Sequence, residues 1–165
     1  MKKRLTAPFK RFAQKDDGAI LVEFGLVLPV MLLLLAVTLE SARLMWSYQS
    51  VIAGVRDASR YLSRVTPADI CSSGGSVAGL TTTLKGIVED DKDDNGLFPP
   101  SITVNSVTPS LSCVSGTYRV SPAPVGTVSA NITIQFPMGG LLSLFGSGLS
   151  SVTTDVSDTT RIFGQ

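Results

Sequence analysis

The 21 residues from Ala19 to Leu39 contain one charged side chain, Glu23. At about 1.5 Å of rise per residue, a helix over this run is roughly 31 Å long, enough for the hydrocarbon core of a bilayer. Charges in membrane segments are costly and by default mark function. Glu23 lies near the start of the run, five residues after Gly18, and is therefore the first candidate site residue.

The flanks orient the run. Lys2, Lys3, Arg4, Lys10, Arg11 and Lys15 precede it, against Asp16 and Asp17. The positive-inside rule keeps such an end cytoplasmic, so everything after Leu39 is expected outside the cytoplasm. A cleavable secretory signal has a shorter apolar core and a small-x-small site after it. Here Glu40 and Arg43 follow a long core, which reads as a signal anchor.

Beyond the run, Leu44, Tyr48, Val51, Ile52, Val55, Ala58, Ser59 and Leu62 repeat at helical spacing. Arg43, Ser47, Ser50, Gly54 and Asp57 are assigned to the opposite face. One helix from about Ala19 to Arg64 is predicted, roughly 69 Å long, apolar all round at first and amphipathic later. Pro29 predicts a kink or local melting, because it lacks an N–H and crowds the preceding turn. Thr66-Pro67 predicts the helix end.

Two motifs on this helix carry a resemblance. Gly18-Ala19-Ile-Leu-Val-Glu23-Phe24 resembles the processing site of type IV pilins of the Flp, or tight-adherence, class. With Leu28-Pro29 and the closing Arg56-Asp57-Ala58-Ser59-Arg60-Tyr61, the segment from Gly18 to about Ser63 is similar to the TadE-like family. The resemblance implies a minor pilin or pseudopilin with a pilin-like fold. It implies processing at Gly18, Ala19, Glu23 and Phe24 by a prepilin peptidase, and subunit packing through Glu23 and Pro29. The implied partners are other pilin-like subunits, the pilus assembly platform and the lipid bilayer.

After Pro67 the composition turns to Ser, Thr, Gly and Val. Val77, Leu80, Leu84 and Ile87 suggest a short second helix. Asp91 to Gly96 match the opening of an EF-hand loop, with Asp91, Asp93 and Asn95 as candidate calcium ligands. Ile102 stands where that loop needs its bidentate glutamate, and the plainer reading is a solvated acidic turn. Ile102-Thr103-Val104 reads as a short strand. Val128 to Phe136 alternates strictly, and Val152, Val156 and Ile162 mark a last strand. The Arg119 region is a further candidate strand. Cys71 and Cys113 both follow the anchor, and an even pair in an exported segment reads as one disulfide. The connection from Met138 to Gly148 is unusually apolar, and either tucks under the sheet or makes a subunit or membrane-surface contact.

The expected fold class is α+β: a long N-terminal helix packed on a small antiparallel sheet. Residues 1–18 form a basic leader, 19–39 a transmembrane helix, 40–66 its amphipathic continuation and 67–165 an extracytoplasmic α+β domain. Net charge is +1, which suggests no nucleic-acid partner. The absence of histidine removes the usual general base and the commonest metal ligand. No catalytic residues and no cofactor beyond the candidate calcium are read, and an enzyme is not expected. A structural role in Flp-type pilus assembly leads, at the bacterial inner membrane or in the pilus. The alternatives are an unprocessed single-span anchor displaying a binding module, and a membrane-attached enzyme working through the acidic turn.

Overall fold

The computed structural model describes residues 17–90, 98, 101–142 and 150–164. Helix α1 spans Asp17–Val65, 49 residues and roughly 73 Å. It is continuous through Pro29, so the expected local melting does not occur. A helical proline removes one ladder bond and presses on the carbonyl four residues back. That residue is Gly25, which has open space where a side chain would be. The rest of the turn is held by its remaining bonds. Past the last turn, Thr66 N–H still reaches Leu62 O at 3.2 Å, and Pro67 stops the helix.

The two halves of α1 meet different surroundings. From Ala19 to Leu35 every side chain is exposed except Leu33, which is half-buried. From Ala36 upward one stripe is covered: Ala36, Glu40, Ser47, Val51, Val55, Ala58 and Leu62 are buried and Leu44 is half-buried. That recurrence every three or four residues is one face of a helix. The covered stripe starts at Ala36, four residues before the boundary read from sequence.

Ser47 and Gly54 are corrections to the sequence reading, because both lie inside the covered face rather than on the polar one. The face is wide because two elements pack on it, the sheet and a second helix. Helix α2 is one turn, Ile70–Ser73, closed by Gly74 in the left-handed region (φ 69°). A 3-10 turn at Ala78–Leu80 leads into α3, Thr81–Glu89. Leu84 and Val88 of α3 are fully buried. Gly54 lets α3 approach this closely, since a Cβ there would sit 3.0 Å from the Val88 carbonyl oxygen.

Strands β1 (Ile102–Val114), β2 (Ala123–Gln135) and β3 (Ser151–Arg161) form an antiparallel meander with β2 in the centre. The core face carries Ile134 between Ile102 and Val152, and Ala130 between Val107 and Val156. The register slips between Val104 and Ser106, leaving Asn105 as an extra residue. Ile102 and Val104 therefore share the core face with Val107 and Pro109, an odd number of residues apart. That parity change hid most of β1 from the alternation rule, which found three of its thirteen residues. The Arg119 region, read as a candidate strand, is instead part of the connection between β1 and β2.

The outer face of the sheet is polar. Thr127 pairs with Thr159 and Thr133 with Thr153, each at 3.0 Å, and Asn131 donates to Asp155 at 2.7 Å. Asn105 at the slip donates to Asn131 and Thr133. Such cross-strand pairs align the strands through polar side chains over most of that face.

Cys71 of α2 and Cys113 near the end of β1 form a disulfide, 42 residues apart in sequence. It joins the helical layer to an edge strand. A loop of this span implies about 4 kcal/mol of stabilisation on the chain-entropy account. We expect Cys71→Ala with Cys113→Ala to lower the free energy of unfolding by about that amount. Denaturant unfolding of the full chain in detergent, oxidised against double variant, measures it; equal midpoints would remove the disulfide from the stability argument.

Candidate processing and packing site on the long helix

The N-terminal end of α1 holds the candidate processing residues. Gly18 is half-buried, while Ala19, Glu23 and Phe24 are exposed. The Gly18–Ala19 peptide lies at the N-terminal end of the described helix, Asp17–Val65. Ala19 and Glu23 are four residues apart and so share a helix face. The Glu23 side chain leans toward the N-terminus, as helical side chains do. Glu23 has no hydrogen bond or ion pair among the described residues. Pro29 is exposed on the same bare half of the helix.

At the other end of the bare half stands a carboxylate that the sequence reading passed over as a flanking charge. Glu40 is 5% exposed, and its Oε1 accepts the Met138 N–H at 2.6 Å. Met138 immediately precedes helix α4, Gly139–Leu142, in the connection from β2 to β3. The bond spans 98 residues of sequence and ties that connection to α1 where the apolar run ends. The signal was available: Glu40 lies four residues before Leu44 and four after Ala36, on the buried stripe. The connection packs on α1 through its first turn, and residues 143–149, the remainder of its apolar run, lie outside the described residues.

The closing motif of α1 divides by burial. Ala58 and Ser59 are buried, while Arg56, Asp57, Arg60 and Tyr61 are exposed. Arg60 and Asp57 pair at 3.2 Å, both largely in solvent, a geometry that contributes little to stability. The Ser59 hydroxyl has no partner, so the packing uses its small size.

Of the remaining candidates, Cys71 and Cys113 are brought together and bonded. Asp91, Asp93 and Asn95 lie outside the described residues. Among the described residues no group of three or more Cys, Asp or Glu side chains is placed to hold a metal ion.

Among the described residues one helix is long and apolar enough to cross a membrane, and its upper half packs on a small antiparallel sheet, an α+β architecture. Residues 18–60 match the model of the TadE-like protein family, and over this segment the chain is similar to that family. The match covers both motifs that carried the resemblance except Tyr61, and it supports a pilin-like protein associated with the Tad pilus. No curated protein and no solved structure matches the chain.

Replacing Glu40 tests its role. Glu40→Ala leaves the half-buried Met138 N–H without its acceptor, at a cost of up to roughly 1–3 kcal/mol. Glu40→Gln keeps an acceptor oxygen and should lose less. Hydrogen exchange at the Met138 amide should accelerate strongly in the alanine variant and modestly in the glutamine variant; unchanged exchange in both would show that the bond does not hold the connection.

Proposed function

We propose that this protein is a pilin-like structural subunit or assembly factor of the Flp-type pilus, with no enzymatic role of its own. It is inserted in the bacterial inner membrane with its N-terminus in the cytoplasm and its α+β domain outside. A prepilin peptidase cleaves between Gly18 and Ala19. The mature helix then packs against other pilin-like subunits and the assembly platform. The family match over residues 18–60 supports the class of role.

The observation that carries the packing role is Glu23, exposed on the bare half of α1 and unpaired among the described residues. Cleavage makes Ala19 a new α-amine with an ordinary pKa near 8, charged at neutral pH. A carboxylate at the centre of a membrane helix is disfavoured by about 3 kcal/mol on insertion scales, and by less near the interface where Glu23 lies. An amine from a neighbouring subunit offsets that cost only at one axial offset between helices. The pairing therefore favours docking and sets the stagger. The exposed Pro29 lies nearly two turns further along and shapes the same packing surface.

Two substitutions separate processing from packing. Gly18→Leu should leave the basic leader attached, read as the intact mass of membrane-extracted protein. Glu23→Ala should still be inserted and cleaved, yet no longer co-purify with pilin-like partners or support pilus assembly; Glu23→Asp should be partly active. Assembly of Glu23→Ala at the wild-type level would refute the pairing. Failure of Glu23→Ala only because cleavage stops would assign Glu23 to peptidase recognition instead.

A further inference from the structure

We infer that the α+β domain rests in the outer headgroup layer of the bilayer, through a collar made of Met45 and Trp46 on α1 and the β2–β3 connection at Met138. The inference rests on the membrane-inserted reading proposed above and deepens it by giving the domain a lipid contact of its own.

Past the apolar run, α1 leaves two large side chains uncovered. Met45 is 60% exposed and Trp46 75%. The stripe beside them is closed: Glu40, Ser47 and Val51 are buried and Leu44 is half-buried. An indole with an apolar body and a polar N–H suits a membrane–water interface, where one end is dry and the other wet. Its height agrees. Trp46 lies seven residues past Leu39. That places its Cα roughly 10 Å further along the axis. Helical side chains lean back over the turn before them, which brings the ring down toward a headgroup layer roughly 5–7 Å deep. Arg43, also exposed, stands one turn past Leu39, at the level of the lipid phosphates.

The domain comes down to the same layer. Glu40 directly follows Leu39, and its Oε1 accepts the Met138 N–H at 2.6 Å. Met138 is thereby held about 9 Å below the Trp46 Cα, at the edge of the hydrocarbon. Cover on α1 continues below that level, where Ala36 is buried and Leu33 half-buried. Charge at such a depth is costly, and the chain brings none from Phe136 to Thr154. The one carboxylate at the border, Glu40, is closed off from lipid by the connection that bonds it.

The arrangement favours lipid over a protein partner. At 3.6 residues per turn, Met45 and Trp46 stand about 140° and 240° around the helix from Glu40. The connection occupies the Glu40 side. Three contacts spread round the rod within two turns match a layer that surrounds it. A protein that grips a helix takes one face of it.

Trp46 is the chain's one tryptophan, so its emission reports this level without any substitution. The full chain is reconstituted into vesicles of phosphatidylethanolamine and phosphatidylglycerol, and flotation reads insertion separately. Trp46 emission should be lost to lipids brominated near the ester carbonyl, and largely kept with lipids brominated near the chain end and with aqueous iodide. A fluorophore on Gly140→Cys, an exposed position with open space for a Cβ, should be lost to the same shallow bromines. The native cysteines do not compete for the label, because they are bonded to each other. Quenching of Trp46 or of the label by iodide, with no loss to any brominated lipid, would overturn the collar and leave the membrane span standing. Strongest loss to the chain-end bromines would also overturn it, by placing these residues in the hydrocarbon. Protection of Trp46 from iodide and from every brominated lipid would overturn the lipid contact and assign the side chain to a subunit contact. Failure of the protein to float with the vesicles would count against both this inference and the membrane reading.

Discussion

Helix α1 needs its upper half covered along one side and its lower half left bare, and the domain is built to the boundary between them. Below Ala36 the side chains face outward all round. Above it a continuous stripe from Ala36 to Leu62 lies under the sheet and α3. Apolar contact alone would not mark where cover should stop, because Leu33 and Leu44 are equally able to be buried. Glu40 marks it. A carboxylate taken out of water requires a donor, and the Met138 N–H supplies one. The bond sets the height of the β2–β3 connection on the helix, and with it the level at which the domain begins.

From that tie the sheet follows the helix upward. β2 runs from Gly126 beside Leu62 to Gln135, three residues before Met138, which bonds Glu40 lower on α1. Two glycines, Gly54 and Gly126, lie where α1 meets another element and a side chain would collide. At Gly126 a Cβ would meet the movable side-chain ends of Leu62 and Ile162, whereas at Gly54 it would meet backbone. Gly54 is thus the stricter requirement, since the α3 main chain cannot swing aside as a side-chain end can. The disulfide closes the far side of this layer by joining α2 to β1.

The candidate packing surface is what the core leaves uncovered. Sequence pattern assigns residues to helix faces, but only packing shows which half of the rod stays bare all round. Glu23 and Pro29 both lie on that bare half, in the apolar run.

The long helix, its apolar first half, its end at Pro67 and the α+β class were legible in the sequence because each rests on local periodicity or on one residue's backbone chemistry. The Gly18-to-Phe24 motif is likewise a local feature, and it lies within the segment that the family model matches. Three features were decided only by tertiary structure. The wide buried face of α1 depends on two elements packing side by side, so Ser47 and Gly54 read as polar-face residues until α3 and the sheet are in place. Most of β1 was invisible because the slip at Asn105 inverts the alternation, and the slip exists only in pairing with β2. The Glu40–Met138 bond joins residues 98 apart, and no local rule links an acidic residue at the end of an apolar run to one backbone N–H in a distant loop. Local chemistry determined which elements form; long-range contact determined which of their faces are closed and where the domain meets its helix.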